Sequence, residues 1–289
     1  MDTMPGRQPP VVTRGERSFR LTDDPLAKAA AHEFCGGFEE GTLRLFDAVL
    51  PRCTRMVDFG AYIGLTALYA ATHVETVYAF EPSPVNYELL ARNVAENPDL
   101  APRVHLFRHG LGARDETVTL YAKATADSGS SVFRHVEREG VVAARPDAAI
   151  ALRDAAAVLR EIGIDRQSLL KIDIEGAEYE VLRAIAPLLA ASKPWLHVSF
   201  HPFNLVAGDA YDNALLRLRS ALGAAEALSS YRFMHLFDDG AWCTISRAER
   251  MDFLRQYLLS AKPVPRVATP QYGFVHAIAF SDEELPRDA

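Results

Sequence analysis

Residues 56–64 read MVDFGAYIG: an apolar run, an aspartate, and two glycines, Gly60 and Gly64, separated by three residues. A short apolar run that ends on an acid and a glycine reads as a buried strand turning sharply. The segment that follows, LTALYAATH at 65–73, is small and apolar and suits a helix packed closely on a sheet. Strand, glycine turn and helix form the repeating unit of doubly wound sheets, whose ligands sit at the carboxyl ends of the strands. Asp58 ends this strand. A dinucleotide site favours G-x-G-x-x-G, whose extra glycine admits the pyrophosphate. The spacing here is G-x-x-x-G, with Ala61 and Tyr62 between. A carboxylate at this strand end disfavours a diphosphate and favours a cation.

The unit recurs. TVYAFEPSP at 76–84 is a second strand ending on Glu81, 23 positions after Asp58. A carboxylate at that place can accept both hydroxyls of a ribose. Ser83 is an N-cap with Pro84 at the first helical position, opening a helix that buries Leu89, Leu90 and Val94 and ends by Pro98. Before these elements, Pro25 to Leu50 reads as helix broken at Gly36-Gly37, with Leu43, Phe46, Val49 and Leu50 on one side. Beyond them, RVHLFRHGLG at 103–112 is a third strand closing in a glycine turn, and TVTLYAKA at 117–124 alternates as an added hairpin arm. Residues 124–150 are less regular, and ADSGSSV at 126–132 reads as a loop at the rim, with Ser128, Ser130 and Ser131 as candidate contacts.

Further on, ALRDAAAVLREIGI at 151–164 is partly helical. SLLKIDIEGAEYEVLRAIAPLL at 168–189 is a strand entering a helix that is interrupted near Pro187. PWLHVSFHPF is the next strand, a helix spans about 212–222, and YRFMHLFDDGAW reads as a hairpin. Ser246 and Glu249 form a capping box. FVHAIAF at 274–280 is a late strand that can pair antiparallel with MHLFDDG at one edge. Strands alternating with helices predict a mainly parallel α/β sheet covered on both faces.

The polar residues at the later strand ends carry two readings each. Lys171, Asp173 and Glu175 alternate and share a face until the turn begins. Charges inside an apolar strand are costly unless paired or functional. Either Lys171 pairs with a carboxylate to hold the turn, or Asp173 or Glu175 orients or deprotonates an acceptor hydroxyl. His197 and His201 lie four apart on a strand. His201, at its carboxyl end, is a candidate base or substrate contact, and His197 reads as a core histidine. Asp238-Asp239-Gly240 reads as hairpin-turn chemistry rather than a cation site, and no metal is expected.

Composition bounds the rest. The chain has 289 residues, a formal net charge of −7 and a pI near 5.7, which argues against nucleic acid as a partner. Cys35, Cys53 and Cys243 form no CxxC pair, so a cytoplasmic protein without a disulfide framework is expected. No stretch reaches the roughly 20 apolar residues of a membrane span. Residues 1–17 read as a loose N-terminal arm with no signal-peptide core. Residues 18–289 read as a single domain, with a cofactor-binding core at about 38–200 and a substrate-side and edge-strand region at about 201–289.

VDFGAYIG, VYAFEPSPVNYELLARNV, HGLGARDETVTLY and LLKIDIEGAEYEVL stand in the order and spacing of FkbM-family methyltransferases. The chain resembles that family over roughly residues 38–200, most specifically in KIDIEGAE. The resemblance implies a class I, Rossmann-like methyltransferase fold of seven strands, the last antiparallel. It implies S-adenosylmethionine as cofactor and O-methylation of a sugar or natural-product hydroxyl. It further implies that Asp58, Gly60, Ala61, Tyr62 and Gly64 surround the amino-acid moiety and that Glu81 takes the ribose. Pro82 and Ser83 would flank that ribose, and Gly110 and Leu111 would lie near the adenine. Asp173, Glu175 and His201 would then stand beside the acceptor. The family's usual D-x-G-A-N-x-G is here broken by Tyr62 in place of asparagine. Two rival readings stand beside this one: a nicotinamide-dependent oxidoreductase and a non-catalytic module, the latter favoured by Tyr62.

Overall fold

The computed structural model describes residues 9–37, 40–122, 128–132, 145–206, 208–238, 241–250, 267–269 and 273–285. Strand β1 (Val11–Arg14) and strand β2 (Arg17–Arg20) form a hairpin that pairs Val12 with Phe19. Both of these side chains are buried, and Arg14 reaches Glu40 at 2.7 Å and Asp47 at 3.0 Å. Order therefore begins ahead of Ser18, the expected end of a loose arm. Two isolated apolar residues among Pro, Gly and Arg gave little sign of a hairpin. Helix α1 (Pro25–Cys35) is capped by Asp24, and helix α2 (Glu40–Val49) buries Leu43, Phe46 and Val49, as their spacing predicts.

The sheet units follow: strand β3 (Arg55–Phe59), helix α3 (Leu65–Ala71), strand β4 (Thr76–Phe80), helix α4 (Pro84–Ala95) and strand β5 (Val104–Phe107). Ser83 caps α4 by accepting from the Asn86 amide. The chain then leaves the main sheet. Strands β6 (Gly110–Gly112), β7 (Glu116–Ala122) and β8 (Arg145–Asp154) make a separate sheet in the order β6-β8-β7. The predicted third strand is thus split between two sheets. Strand β8 occupies part of the stretch expected to be irregular or helical. Its inward alternation, through Ile150 and Leu152, is masked in sequence by intervening alanines.

Helix α5 (Ala155–Ile162), strand β9 (Ser168–Ile172), helix α6 (Glu178–Ser192) and strand β10 (Trp195–Val198) return to the main sheet. Pro187 lies inside α6 without ending it. It is exposed, so the carbonyl one turn earlier that loses its donor meets water. Helix α7 (Ala210–Leu228), strand β11 (Phe233–Asp238), strand β12 (Ala241–Ile245), strand β13 (Val267–Thr269) and strand β14 (Gly273–Ser281) complete the described elements. Ser246 and Glu249 make the expected reciprocal capping bonds.

The main sheet runs β12-β11-β14-β10-β9-β3-β4-β5, with β13 paired to β14. Strands β5, β4, β3, β9 and β10 are parallel neighbours, while β14 is antiparallel to both β10 and β11. This is the doubly wound, mainly parallel arrangement with its last strand reversed. It holds nine strands rather than seven, because β12 and β13 extend it beside β11 and β14. Alternate strand residues feed two cores. Val57, Phe59, Leu170 and Ile172 face α5, α6 and α7, whereas Met56, Val77, Leu169 and Trp195 face α1 to α4. The period of two thus puts a helical layer on each face. No helix among the described residues is long and apolar enough to cross a membrane.

Candidate active site

The site begins with a polar row inside the sheet. Asp58 on β3 is in register with Lys171 on β9, which is in register with His197 on β10. Lys171 Nζ lies 3.2 Å from Asp58 Oδ1 and 3.5 Å from Asp173 Oδ2. Thr66 of α3 donates to Asp58 Oδ2 at 2.8 Å, and Thr42 of α2 meets His197 Nε2 at 3.2 Å. Burial holds the Asp58 carboxyl above its ordinary value, with Lys171 and Thr66 drawing it down. Burial pushes His197 down to about 4. Lys171 thus joins the two strand ends, as the structural reading of the charged strand required.

After β3 the chain turns through Gly60 at φ +80°. A β-carbon there would stand 2.2 Å from the Asp173 carbonyl oxygen, so the glycine is needed for strand-end packing as well as for φ. Tyr62 follows at φ +52°. Left-handed backbone is tolerated by Gly and Asn and strained in a bulky residue. The asparagine usual at this place in the family suits that conformation; tyrosine adopts it under strain. Its backbone N–H donates to Glu81 Oε2 at 2.8 Å, while the Ser83 N–H donates to Oε1 at 2.9 Å. Glu81 is only 5% exposed, and burial pushes its pKa up to about 7 against those two donors.

Glu81 lines a cleft at the carboxyl ends of β3, β4 and β9. One wall is apolar, built from Leu111, Leu120, Val132, Ile150 and Leu152 with Pro82. Gly110 is held under that wall, since a β-carbon would come within 2.6 Å of Leu152. The other end is acidic, with Asp173 and Glu175. Among the described lining residues there is no lysine or arginine.

The acidic end is tightly built. Glu175 and Gly176 both have positive φ, +54° and +108°. Ser131 Oγ donates to the Glu175 carbonyl at 2.6 Å, and Asn204 Nδ2 donates to the same carbonyl at 3.1 Å and to Oε2 at 2.7 Å. Glu178 is fully buried and accepts from the amides of Gly176 at 2.7 Å and His201 at 2.6 Å. His201 sits among three carboxylates: Asp173 at 3.6 Å, Glu175 at 3.5 Å and Glu178 at 3.4 Å. Burial alone would lower the pKa of its imidazole, but Glu175, Glu178 and Asp173 raise it to about 10. Burial raises Glu175 to about 7, whereas Lys171 and His201 overcome burial to hold Asp173 below the usual carboxylate range.

Of the residues singled out from sequence, Gly60, Tyr62, Glu81, Pro82, Gly110, Leu111, Asp173 and Glu175 meet in the cleft wall, with Ser128 and Ser130 at its rim. Ser131 instead braces the turn at Glu175. Asp58, Ala61, Gly64 and Ser83 are not in the wall. Asp58 is buried against Lys171, Ala61 is in the core, Gly64 packs under Leu90, and Ser83 caps α4. His201 stands behind the two acids, and His197 is buried as expected. Asp239 and Gly240 lie outside the described residues. Asn86, Glu178 and Asn204 were not singled out. Only Glu178 left a trace in sequence, as the second acid of EGAE.

A doubly wound sheet with a reversed last strand, and a strand-end cleft with an acid on the second strand, is the arrangement of class I methyltransferases. Residues 58–260 match the model of the methyltransferase FkbM domain, and the chain belongs to that family. It is 33% identical over 168 residues to methyltransferase sdnD of Sordaria araneosa, covering 48% of this chain and 62% of that protein. It therefore spans about three-fifths of that relative's length. It is 29% identical over 223 residues to the AMB antimetabolite synthetase AmbE of Pseudomonas aeruginosa, covering 66% of this chain and 10% of that protein. A solved FkbM methyltransferase from Methylobacillus flagellatus superposes at a TM-score of 0.43 with 17% identity, covering 90% of this chain and 56% of that one. That likeness is too loose to carry an inference.

Proposed function

We propose that the protein is an S-adenosylmethionine-dependent methyltransferase acting on a hydroxyl oxygen of a small molecule, a sugar or a natural product. The observation that carries this is Glu81: a buried carboxylate at the end of β4, aimed by two backbone amides, in the wall of the cleft. The residues present fit the cofactor. Glu81 suits the two ribose hydroxyls, the wall of Leu111, Ile150 and Leu152 suits an adenine face, and the acidic end suits a sulfonium. The G-x-x-x-G spacing of Gly60 and Gly64, without the third glycine that admits a pyrophosphate, disfavours the nicotinamide reading.

When bound, S-adenosylmethionine supplies an electrophilic methyl carbon. The chain's contribution is positioning and charge. Tyr62 and Ser83 fix the Glu81 carboxylate; Lys171 and His201 fix Asp173; Asn204 and Ser131 fix Glu175. Asp173 and Glu175, at the open acidic end, can accept the acceptor's O–H and take its proton. The three carboxylates favour the charged form of His201, which suits it to orienting them rather than to acting as the base. The small-molecule acceptor is further supported by the antimetabolite synthetase that the chain resembles. A cytoplasmic setting rests on the sequence alone, in which Cys35, Cys53 and Cys243 are widely spaced and form no CxxC pair.

The test is incubation of the purified chain with methyl-labelled S-adenosylmethionine and a panel of glycosides, polyketide alcohols and matching amines. Label on a hydroxyl oxygen supports the reading. Label on nitrogen alone would overturn the oxygen assignment, and cofactor binding without transfer to any acceptor would favour a non-catalytic module.

A further inference from the structure

The groups at the ends of β9 and β10 have the composition and spacing of metal ligands. One oxygen of Asp173, one of Glu175 and one ring nitrogen of His201 all lie within 4.8 Å of one another. His201 Nε2 is 3.6 Å from Asp173 Oδ1 and 3.5 Å from Glu175 Oε1. Donor atoms bound at about 2.1 Å to one ion lie about 3.0–3.5 Å apart, so small side-chain rotations would close the site. Behind the ring, Nδ1 lies 3.4 Å from Oε1 of the fully buried Glu178. A carboxylate near the far nitrogen is common beside a metal-bound histidine, and the ring turns Nε2 toward Asp173 and Glu175.

A separate observation points the same way. Asn204 is 1% exposed, touches Glu175 Oε2 through Nδ2, and leaves Oδ1 without a hydrogen-bond partner among the described residues. A buried acceptor without a donor is costly. Exchanging the amide oxygen and nitrogen would place Oδ1 where Nδ2 now stands, 2.7 Å from Glu175 Oε2 at the edge of the cluster. Asp173 and Glu175 also line the cleft, so open coordination positions would face it.

We propose that Asp173, Glu175 and His201 form a binding site for a divalent cation, with Asn204 beside them, in place of the metal-free site expected from sequence. Two carboxylates and one imidazole suit Mn²⁺, with Mg²⁺ the natural alternative for an oxygen-rich set. The cation takes Nε2 of His201 together with the two carboxylates and offers a position to the acceptor oxygen. That purpose rests on the methyl-transfer reading; the existence of the site does not.

The test is a Mn²⁺ titration of the full chain followed by electron paramagnetic resonance, with S-adenosylmethionine binding measured separately by calorimetry. One Mn²⁺ per chain is expected, with nitrogen hyperfine coupling that His201→Gln abolishes. Asp173→Asn and Glu175→Gln should each weaken Mn²⁺ at least about tenfold. Asp209→Asn, at the exposed start of α7, should not. Circular dichroism selects the variants that fold, and the hyperfine signal of the wild-type chain decides the matter even if none does. A chain that binds S-adenosylmethionine but takes up no Mn²⁺ at about 1 mM, the weak end of specific binding, would overturn the site. Mn²⁺ binding without S-adenosylmethionine binding would uphold the site and remove the methyl-transfer reading.

Discussion

Tyr62 holds Glu81. Its N–H reaches Glu81 Oε2 at 2.8 Å from a backbone at φ +52°, so the most strained residue of the glycine turn aims the proposed ribose acceptor. The contact is made by the backbone, and the tyrosine side chain is not needed for it. Tyr62→Asn should therefore keep S-adenosylmethionine affinity within about threefold, which is about 0.7 kcal/mol. Glu81→Gln loses a charged acceptor worth about 1.5–3 kcal/mol and should weaken binding at least about tenfold. Calorimetric titration of both variants checks the pair. A large loss in Tyr62→Asn with none in Glu81→Gln would reverse the assignment.

Gly60 and Gly15 separate packing from backbone strain. Both have positive φ, but a β-carbon at Gly60 would meet the Asp173 carbonyl at 2.2 Å, while one at Gly15 meets nothing within 4 Å. Gly15→Ala should cost about 1 kcal/mol, the conformational penalty alone. Gly60→Ala should cost at least about twice that, because two strand ends must separate. Denaturant unfolding of both variants measures the difference, and equal losses would refute the close approach.

Lys171 neutralises a carboxylate that water does not reach. Asp58 is fully buried and 3.2 Å from Nζ. Lys171→Met should destabilise the fold by about 3–5 kcal/mol, since breaking one partner of a buried pair leaves a bare charge. Asp58→Asn combined with Lys171→Met should recover much of that loss, with Thr66 still able to donate to the amide oxygen. A double variant no better than the single one would show that the pair is not the source of the cost.

Much of this was legible in sequence because it is local. Ser83-Pro84 announced α4, the Gly36-Gly37 break separated α1 from α2, and the apolar runs ending on Asp58 and Glu81 placed two strand ends correctly. Asp58 was assigned to the ligand because it ends a strand. Its actual partner is 113 positions away and is set by strand register. Strand β8 escaped because alanine blurs a period of two. Glu178, Asn204 and the bracing role of Ser131 escaped because each reaches a backbone group 23, 29 or 44 positions away, and no local pattern marks such a partner.

His235 supplies a pH dependence away from the cleft. It is fully buried, 2.8 Å from both Thr244 Oγ1 and Ser281 Oγ, and burial pushes its pKa down to about 4. Its folded value is depressed below the ordinary 6.5, so the unfolded chain binds the extra proton. Its contribution is present above pH 6.5 and is lost as pH falls toward 4. Between pH 7 and pH 5 it should remove about 2 kcal/mol of stability. His235→Gln should lose correspondingly less than the wild type over that interval in urea unfolding. Parallel losses in the two proteins would show that His235 does not titrate in this way.

Cofactor choice is decided most directly by calorimetric titration of the purified chain, in parallel, with S-adenosylmethionine and with NADH. Saturable binding of S-adenosylmethionine at one site per chain, with no binding of NADH, is the predicted result. NADH binding in preference to S-adenosylmethionine would contradict the reading of Glu81 and of the cleft it lines.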